Sequence, residues 1–351
     1  MFHRLGALVL PASFLLCASG GCAHLPPAVS RSPTPLAAET ASYYEYPRQP
    51  IESSQEFLSE REGYTVQLVR WPLADRQAIP PSEATIEVEW YESSQPGKRA
   101  ALLVLPILGG HYPIERAFCR FFAYRGVHVA LVRRRTIKLS ATESPADLEA
   151  MLRRSVIRNR QVMDWLETQP SVDATRLGVF GISMGGIVGV MTAAVEPRVQ
   201  ALVAGLAGGP IADILCDTQD PILLKPRARY LAKRSLTLHE LHRQLTAAIR
   251  TDPLLLAPAV DGHRVFLVMA GFDRTIRSPY SRRLWEALNR PQRLVLPLGH
   301  YTSLLAVPHV ETRALRFFRR TLHLPPTTLP RRRWRVHDEH GIMDAVPRIT
   351  P

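Results

Sequence analysis

The chain has 351 residues, 46% of them apolar and 21% charged, which excludes bulk disorder and suits one large domain with appendages. Its 30 prolines and 20 glycines fall mostly in loops and at the two ends, which excludes a collagen-like or low-complexity chain. The 44 basic and 31 acidic side chains give a formal charge of +13, nearly all of the positive charge being arginine, and such a balance suits nucleic acid, anionic lipid or nothing specific.

The N-terminus has the pattern of an export signal over residues 1–21. Arg4 supplies a short basic region, and Leu5 to Leu16 form an apolar run too short to span a bilayer. The run leads into Ala18-Ser19-Gly20-Gly21-Cys22, small residues directly before a cysteine. This resembles a bacterial lipobox, although Ser19 stands where that motif usually carries Leu. The resemblance implies acylation at Cys22 and a bacterial cell-envelope location, anchored by lipid and facing the periplasm or the cell surface. Plain secretion, without lipid on Cys22, and an uncleaved apolar N-terminus are the alternatives.

Residues 22–55 follow, with six prolines between 23 and 50 and little apolar pattern, and are expected to be a Pro-rich tether. The other end, 323–351, is expected to be an irregular basic tail. It contains Arg331-Arg332-Arg333-Trp334-Arg335, either a solvated stretch or a second contact with anionic lipid. No nucleic-acid motif accompanies it, so no nucleic-acid partner is expected. Cys17 would leave with the signal, and Cys119 and Cys216 are expected as buried free thiols, since two distant cysteines make no disulfide framework.

Between the ends, residues 56–322 read as strands alternating with helices. Tyr64 to Val69 and Thr85 to Trp90 alternate in polarity, as half-buried antiparallel strands near a sheet edge do. Ala100 to Leu105 is a continuous apolar run, which suits a central strand covered on both faces. A helix over about 113–125 and a strand at Val127 to Val132 come next. Ser144-Pro145 is an N-cap and first-turn pair, opening a helix to about Thr168. Further strands are expected at Arg176 to Phe180, Ala201 to Ala204, Val265 to Ala270 and Leu294 to Leu296, with helices from Ser278 and over about 310–322. The rhythm breaks over 210–260, where Thr237-Leu238-His239-Glu240 is a capping box and Leu238, Leu241, Leu245 and Ile249 continue an amphipathic helix. The pattern predicts a mostly parallel sheet of about eight strands with helices on both faces and a helical insertion.

Gly181-Ile182-Ser183-Met184-Gly185-Gly186 stands between a predicted strand and a predicted helix. There the G-x-S-x-G pattern is a nucleophile elbow. Its turn is so tight that side chains at 181 and 185 would strike neighbouring backbone. It lifts Ser183 above the sheet and aims the first N–H groups of the helix at the reaction centre. A serine hydroxyl needs a base to take its proton and a carboxylate to orient that base. His300, in the turn after the last strand, and Asp273, in the turn after the preceding one, both fall at carboxyl ends of parallel strands, where such sheets place their sites. His128 falls inside a strand and reads as a core histidine. His239 and His242 read as a solvated helix face, and no metal is expected.

At this point residues 60–322 resemble the α/β-hydrolase fold and superfamily. The stretch from Met163-Asp164-Trp165-Leu166 through Val172-Asp173-Ala174-Thr175-Arg176 to Ser183-Met184-Gly185-Gly186 is similar to the dienelactone-hydrolase and acyl-esterase branch. The resemblance implies Ser183 as nucleophile, Asp273 as acid and His300 as base, with an acyl-enzyme, water as second acceptor and no cofactor. Some members carry the acid after the preceding strand, where this chain has Asp213. The oxyanion hole would use the Met184 N–H and a second N–H from the loop Pro106 to His111, at Ile107 or Leu108, with Leu108 favoured. The insertion would cap the site, its apolar residues either lining a pocket or packing onto the core. The function expected is a serine hydrolase acting on a small-molecule acyl ester. A peptidase or amidase on the same fold and a catalytically silent envelope binding protein are the alternatives.

Overall fold

The computed structural model describes residues 23–74, 84–109, 112–134 and 143–325. The expected export signal, Cys22 and the Arg331 to Arg335 cluster lie outside the described residues.

The expected eight strands are present, and each edge of the sheet carries one more. In chain order the strands are β1 (Ala23–Leu25), β2 (Ser54–Arg61), β3 (Tyr64–Pro72), β4 (Thr85–Ser93), β5 (Arg99–Leu105), β6 (His128–Arg133), β7 (Val172–Ile182), β8 (Val199–Gly205), β9 (Val265–Ala270) and β10 (Gln292–Leu296). Among the described residues they form one ten-stranded sheet in the order β1-β10-β9-β8-β7-β5-β6-β4-β3-β2. The six central strands from β10 to β6 are parallel, and β1 at one edge and β4, β3 and β2 at the other are antiparallel. The fold is that of the α/β-hydrolases.

The central strands read as apolar runs because both faces are covered. Successive residues of β5 go to opposite sides, Leu102 and Val104 to one core and Ala101, Leu103 and Leu105 to the other. On the first side α2 (Pro113–Tyr124) and α10 (Val307–Thr321) pack an aromatic layer. Phe118 lies 4.4 Å from Phe180, and Phe122 meets Phe318 edge-on. On the second side lie α3 (Pro145–Thr168), α4 (Met184–Val195) and α9 (Ser278–Ala287). Trp165 of α3 stacks on Trp71 and takes Trp90 edge-on, which joins that helix to the antiparallel strands. The α3 start is the expected cap, with the Asp147 N–H donating to Ser144 Oγ at 3.2 Å and the Ser144 N–H to Asp147 at 2.7 Å.

The stretch expected as a tether is applied to the domain. Beyond β1, Ala28 N–H donates to the Arg290 carbonyl at 2.9 Å and Thr34 N–H to the Pro258 carbonyl at 2.8 Å. A short helix α1 (Ala38–Ser42) leads to three tyrosines. Tyr44 is fully buried, with its hydroxyl on Thr251 at 3.0 Å, and Tyr43 and Tyr46 reach Glu149 and Asp164. The physical reason is the tyrosine chemistry: each ring covers apolar surface while its hydroxyl finds a polar partner. Residues 28–46 are therefore packed on the domain, where a free tether was expected.

The insertion holds α5 (Ile211–Asp217), α6 (Pro221–Arg234), α7 (Leu238–Ala248) and α8 (Pro253–Leu256). Ile211, Ile214 and Leu241 belong to the buried core and pack the insertion onto it, while Leu238 is exposed. Cys119 is buried and Cys216 half-buried, both as free thiols. No helix of the described residues is long and apolar enough to cross a membrane.

Candidate active site

Strand β7 ends at Ile182 and helix α4 starts at Met184, leaving one residue for the turn. Ser183 takes φ 55° and ψ −122°, a conformation that costs a side-chain-bearing residue on the order of 1–3 kcal/mol. The surroundings enforce it. The Ser183 N–H donates to the Gly205 carbonyl of β8 at 2.8 Å, and its carbonyl accepts from Ile187 N–H at 3.0 Å. A Cβ at Gly181 would lie 2.2 Å from the Gly185 carbonyl oxygen, and one at Gly185 would lie 2.3 Å from that of Leu105. Both glycines of the elbow are thus required by backbone contacts, as the sequence pattern suggested.

The structure brings Ser183, His300 and Asp273 together. His300 follows β10 in a turn held by Thr302, whose Oγ1 accepts the Gly299 N–H at 2.8 Å. Asp273 follows β9. His300 Nδ1 is 2.7 Å from Asp273 Oδ2, and His300 Nε2 is 3.0 Å from Ser183 Oγ. The other Asp273 oxygen accepts N–H groups from Thr275 at 2.8 Å and Ile276 at 2.9 Å. An ionised carboxylate only accepts, so the proton between Asp273 and His300 belongs to Nδ1. The Nε2 lone pair then faces the serine hydroxyl. Both the imidazole and the carboxylate are nearly withdrawn from solvent, with side-chain exposures of 9% and 2%.

Asp213 does not join this group. Its carboxylate accepts from His242 Nε2 and from Arg283, each at 2.7 Å, away from His300. The alternative acid is thereby set aside, and His242 is partnered rather than simply solvated. His128 is a core histidine, its Nδ1 accepting the Ser93 N–H at 3.0 Å. Among the described residues no group of three His, Cys, Asp or Glu is placed to hold a metal ion.

Three further residues shape the site and were not singled out in the sequence. Glu115, in the first turn of α2, is buried and accepts the Ile107 N–H at 2.6 Å. The Ile107 carbonyl in turn accepts from Arg134 Nη2 at 2.6 Å. The turn after β5 is therefore held from both sides by the Glu115 and Arg134 side chains. Burial pushes the Glu115 carboxyl above its ordinary range and draws the Arg134 guanidinium down to about 10, still charged at neutral pH. The third is Asp220, the N-cap of α6. It accepts from Thr275 Oγ1 at 2.8 Å, from Ile222 N–H at 2.9 Å and from the Tyr301 hydroxyl. Burial pushes this carboxyl upward, but the Tyr301, Ile222 and Thr275 donors outweigh it and hold it below the ordinary range. Asp220 thus ties the insertion to the residues beside Asp273 and His300. An acid in the first turn of a helix was visible at Glu115; its reach back to residue 107 was not.

Met184, at the start of α4, and Leu108, in the turn after β5, are both half-buried at the carboxyl end of the sheet. The Ile107 N–H is committed to Glu115, so of the two loop donors weighed, Leu108 is the one without that engagement.

No family model matches the chain, and no curated protein matches it. Solved structures do. Acetyl xylan esterase 1 from Thermoanaerobacterium sp. JW/SL YS485 superposes with a TM-score of 0.60 at 16% identity, over 88% of this chain and 98% of its own. An acetyl xylan esterase from Paenibacillus sp. R4 gives 0.59 at 14%, over 89% and 100%. The acylaminoacyl peptidase of Pyrococcus horikoshii gives 0.52 at 15%, over 76% of this chain and 44% of its own. At these identities the likeness establishes the fold.

Proposed function

We propose that the protein is a serine hydrolase that cleaves carboxylic esters of small acyl groups through Ser183, His300 and Asp273. The observation that carries the reading is the continuous line from Asp273 through His300 to Ser183 Oγ, ending on a serine in strained backbone. Ser183 Oγ attacks the ester carbonyl carbon as His300 Nε2 takes its proton. Asp273 holds the ring and stabilises the cation that forms. The oxyanion receives the N–H groups of Met184 and Leu108. Collapse expels the alcohol, which takes the proton from His300. Water then attacks the acyl-enzyme with His300 again as base, releasing the acid and restoring Ser183. Every step uses side chains and backbone N–H groups of this chain, with water as the only co-reactant.

The likeness to two acetyl xylan esterases supports a short acyl group. The test is labelling by a fluorophosphonate probe. Wild type is expected to label and Ser183→Ala to remain unlabelled; an unlabelled wild type, or equal labelling of the variant, overturns the enzyme reading and favours a silent binding protein. The likeness to a peptidase keeps amide hydrolysis as a second reading. Matched ester and amide substrates with one acyl group separate the two, with the ester expected to be the faster.

The chain is further proposed to be held at a bacterial cell envelope by lipid on Cys22. Incorporation of a fatty-acid analogue is expected in the wild type and not in Cys22→Ala. Equal incorporation in both removes the anchor.

A further inference from the structure

The register of β1 has a geometric meaning for whatever precedes it. Ala23 stands opposite Val295 and Leu25 opposite Arg293, with the strands antiparallel. Going backward from Leu25 to Ala23 therefore runs toward the carboxyl end of β10. That is the end from which the turns bearing Asp273 and His300 emerge. The first described residue, Ala23, therefore stands at this end of the sheet.

The same end carries an apolar rim. Phe272, beside Asp273, is 71% exposed, and Leu304 and Leu305, in the 3₁₀ turn after His300, are 48% and 81% exposed. Tyr301 and Ile222 are also exposed, and both are bound to Asp220. Phe272 is next in sequence to Asp273, Tyr301 to Leu305 follow His300, and Asp220 links Tyr301 to Ile222, so all five stand on the segments that bear or hold the catalytic aspartate and histidine. The acidic groups here are already partnered. Asp220 is bonded to Tyr301 and Thr275, and Asp217 to Arg277 and Tyr280. Arg274 next to the rim is exposed, which suits an anionic surface.

We propose that the protein docks on a phospholipid bilayer by this end of the sheet, so that the mouth above Ser183 faces the lipid. The proposal rests on reading the leader before residue 23 as a membrane attachment, and it holds for an acylated Cys22 and for an uncleaved apolar leader alike. One apolar rim alone binds a membrane weakly, and a second attachment makes the binding stable. Here Ala23 stands at the end of the sheet that carries the rim.

The test uses the full chain with its leader, reconstituted in vesicles of phosphatidylethanolamine and phosphatidylglycerol. Tryptophan is introduced by Leu305→Trp, by Leu304→Trp as a second probe, and by Phe57→Trp at the opposite sheet edge, where Phe57 is 64% exposed. Lipids brominated near the headgroup end of the acyl chain quench tryptophans at that depth. The fluorescence added over the parent protein is expected to fall at least twofold at 304 or 305 and to stay unchanged at 57. Equal quenching at the rim and at 57, quenching at 57 alone, quenching at neither, or a chain that fails to sediment with the vesicles overturns the proposal. Fluorophosphonate labelling of Ser183 in the same vesicles reports separately on the hydrolase reading.

Discussion

Asp273 and Asp213 each hold a histidine at 2.7 Å, yet their surroundings differ in every other respect. The Asp273–His300 pair is buried, and the second oxygen of Asp273 is fixed by two backbone N–H groups. The free nitrogen of His300 meets a serine. The Asp213–His242 pair joins two helices of the insertion, with side-chain exposures of 25% and 40%, and Arg283 takes the second carboxylate oxygen. Water screens such a contact, and exposed contacts of this kind contribute about 0–1 kcal/mol. A short aspartate–histidine distance is therefore no signature of catalysis by itself. What distinguishes the first pair is that its remaining hydrogen-bonding positions are already assigned, so the imidazole has one orientation and one proton arrangement.

The largest expected effects test that distinction directly. Ser183→Ala and His300→Ala are expected to lower kcat for ester hydrolysis by about 10⁴-fold or more, and Asp273→Asn by about 10⁴-fold. Asp213→Asn and His242→Ala are expected to stay within about twofold of wild type. Steady-state kinetics on one activated ester checks all five, and a dead Asp213→Asn beside an active Asp273→Asn breaks the comparison.

A smaller effect sharpens it by asking whether a buried carboxylate without a histidine also matters. Glu115 fixes the Ile107 N–H, and with it the turn that presents Leu108. Glu115→Ala is expected to lower kcat by about tenfold to a hundredfold, below the loss from deleting an oxyanion donor outright, with KM little changed. Glu115→Gln keeps an acceptor oxygen and is expected to recover most of the rate. A KM effect without a kcat effect places Glu115 in substrate binding instead.

The smallest effect concerns Asp220, which links the insertion to Tyr301 and Thr275. Its carboxyl lies below the ordinary value of 3.8 in the folded protein. The ionised form is therefore bound more favourably by the folded state than by the unfolded chain. Its contribution is complete above about pH 4 and is lost as the pH falls through the lower, folded value. Asp220→Asn is expected to cost about 1 kcal/mol near neutrality, with the difference from wild type shrinking in acid. Urea unfolding across a pH series checks this, and a difference that grows toward low pH contradicts it.

Much of this arrangement is readable in the chain because it depends on local rules. Apolar runs at 100–105 and 265–270 mark strands covered on both faces, and the glycines at 181 and 185 answer a local steric demand. Asp273 and His300 were legible because position after a strand is itself informative. The N-terminal stretch was misread because its prolines resemble a tether, while its fixed position depends on distant partners such as Thr251 and Arg290. Edge strand β1 is three residues long, too short to carry an alternating pattern. Glu115 and Asp220 were missed for a related reason: their partners lie in loops whose paths follow from the tertiary fold.

The applied N-terminal stretch also has a mechanical consequence. A free chain of about 30 residues would act as a leash with a reach of about 30 Å, letting its cargo tumble and drift. Here that slack is taken up along the flank of the sheet, from the pairing at Ala23 to the buried Tyr44. Between Ala23 and Tyr44 the chain therefore offers no leash, and a pull applied at Ala23 is passed straight to the edge of the sheet.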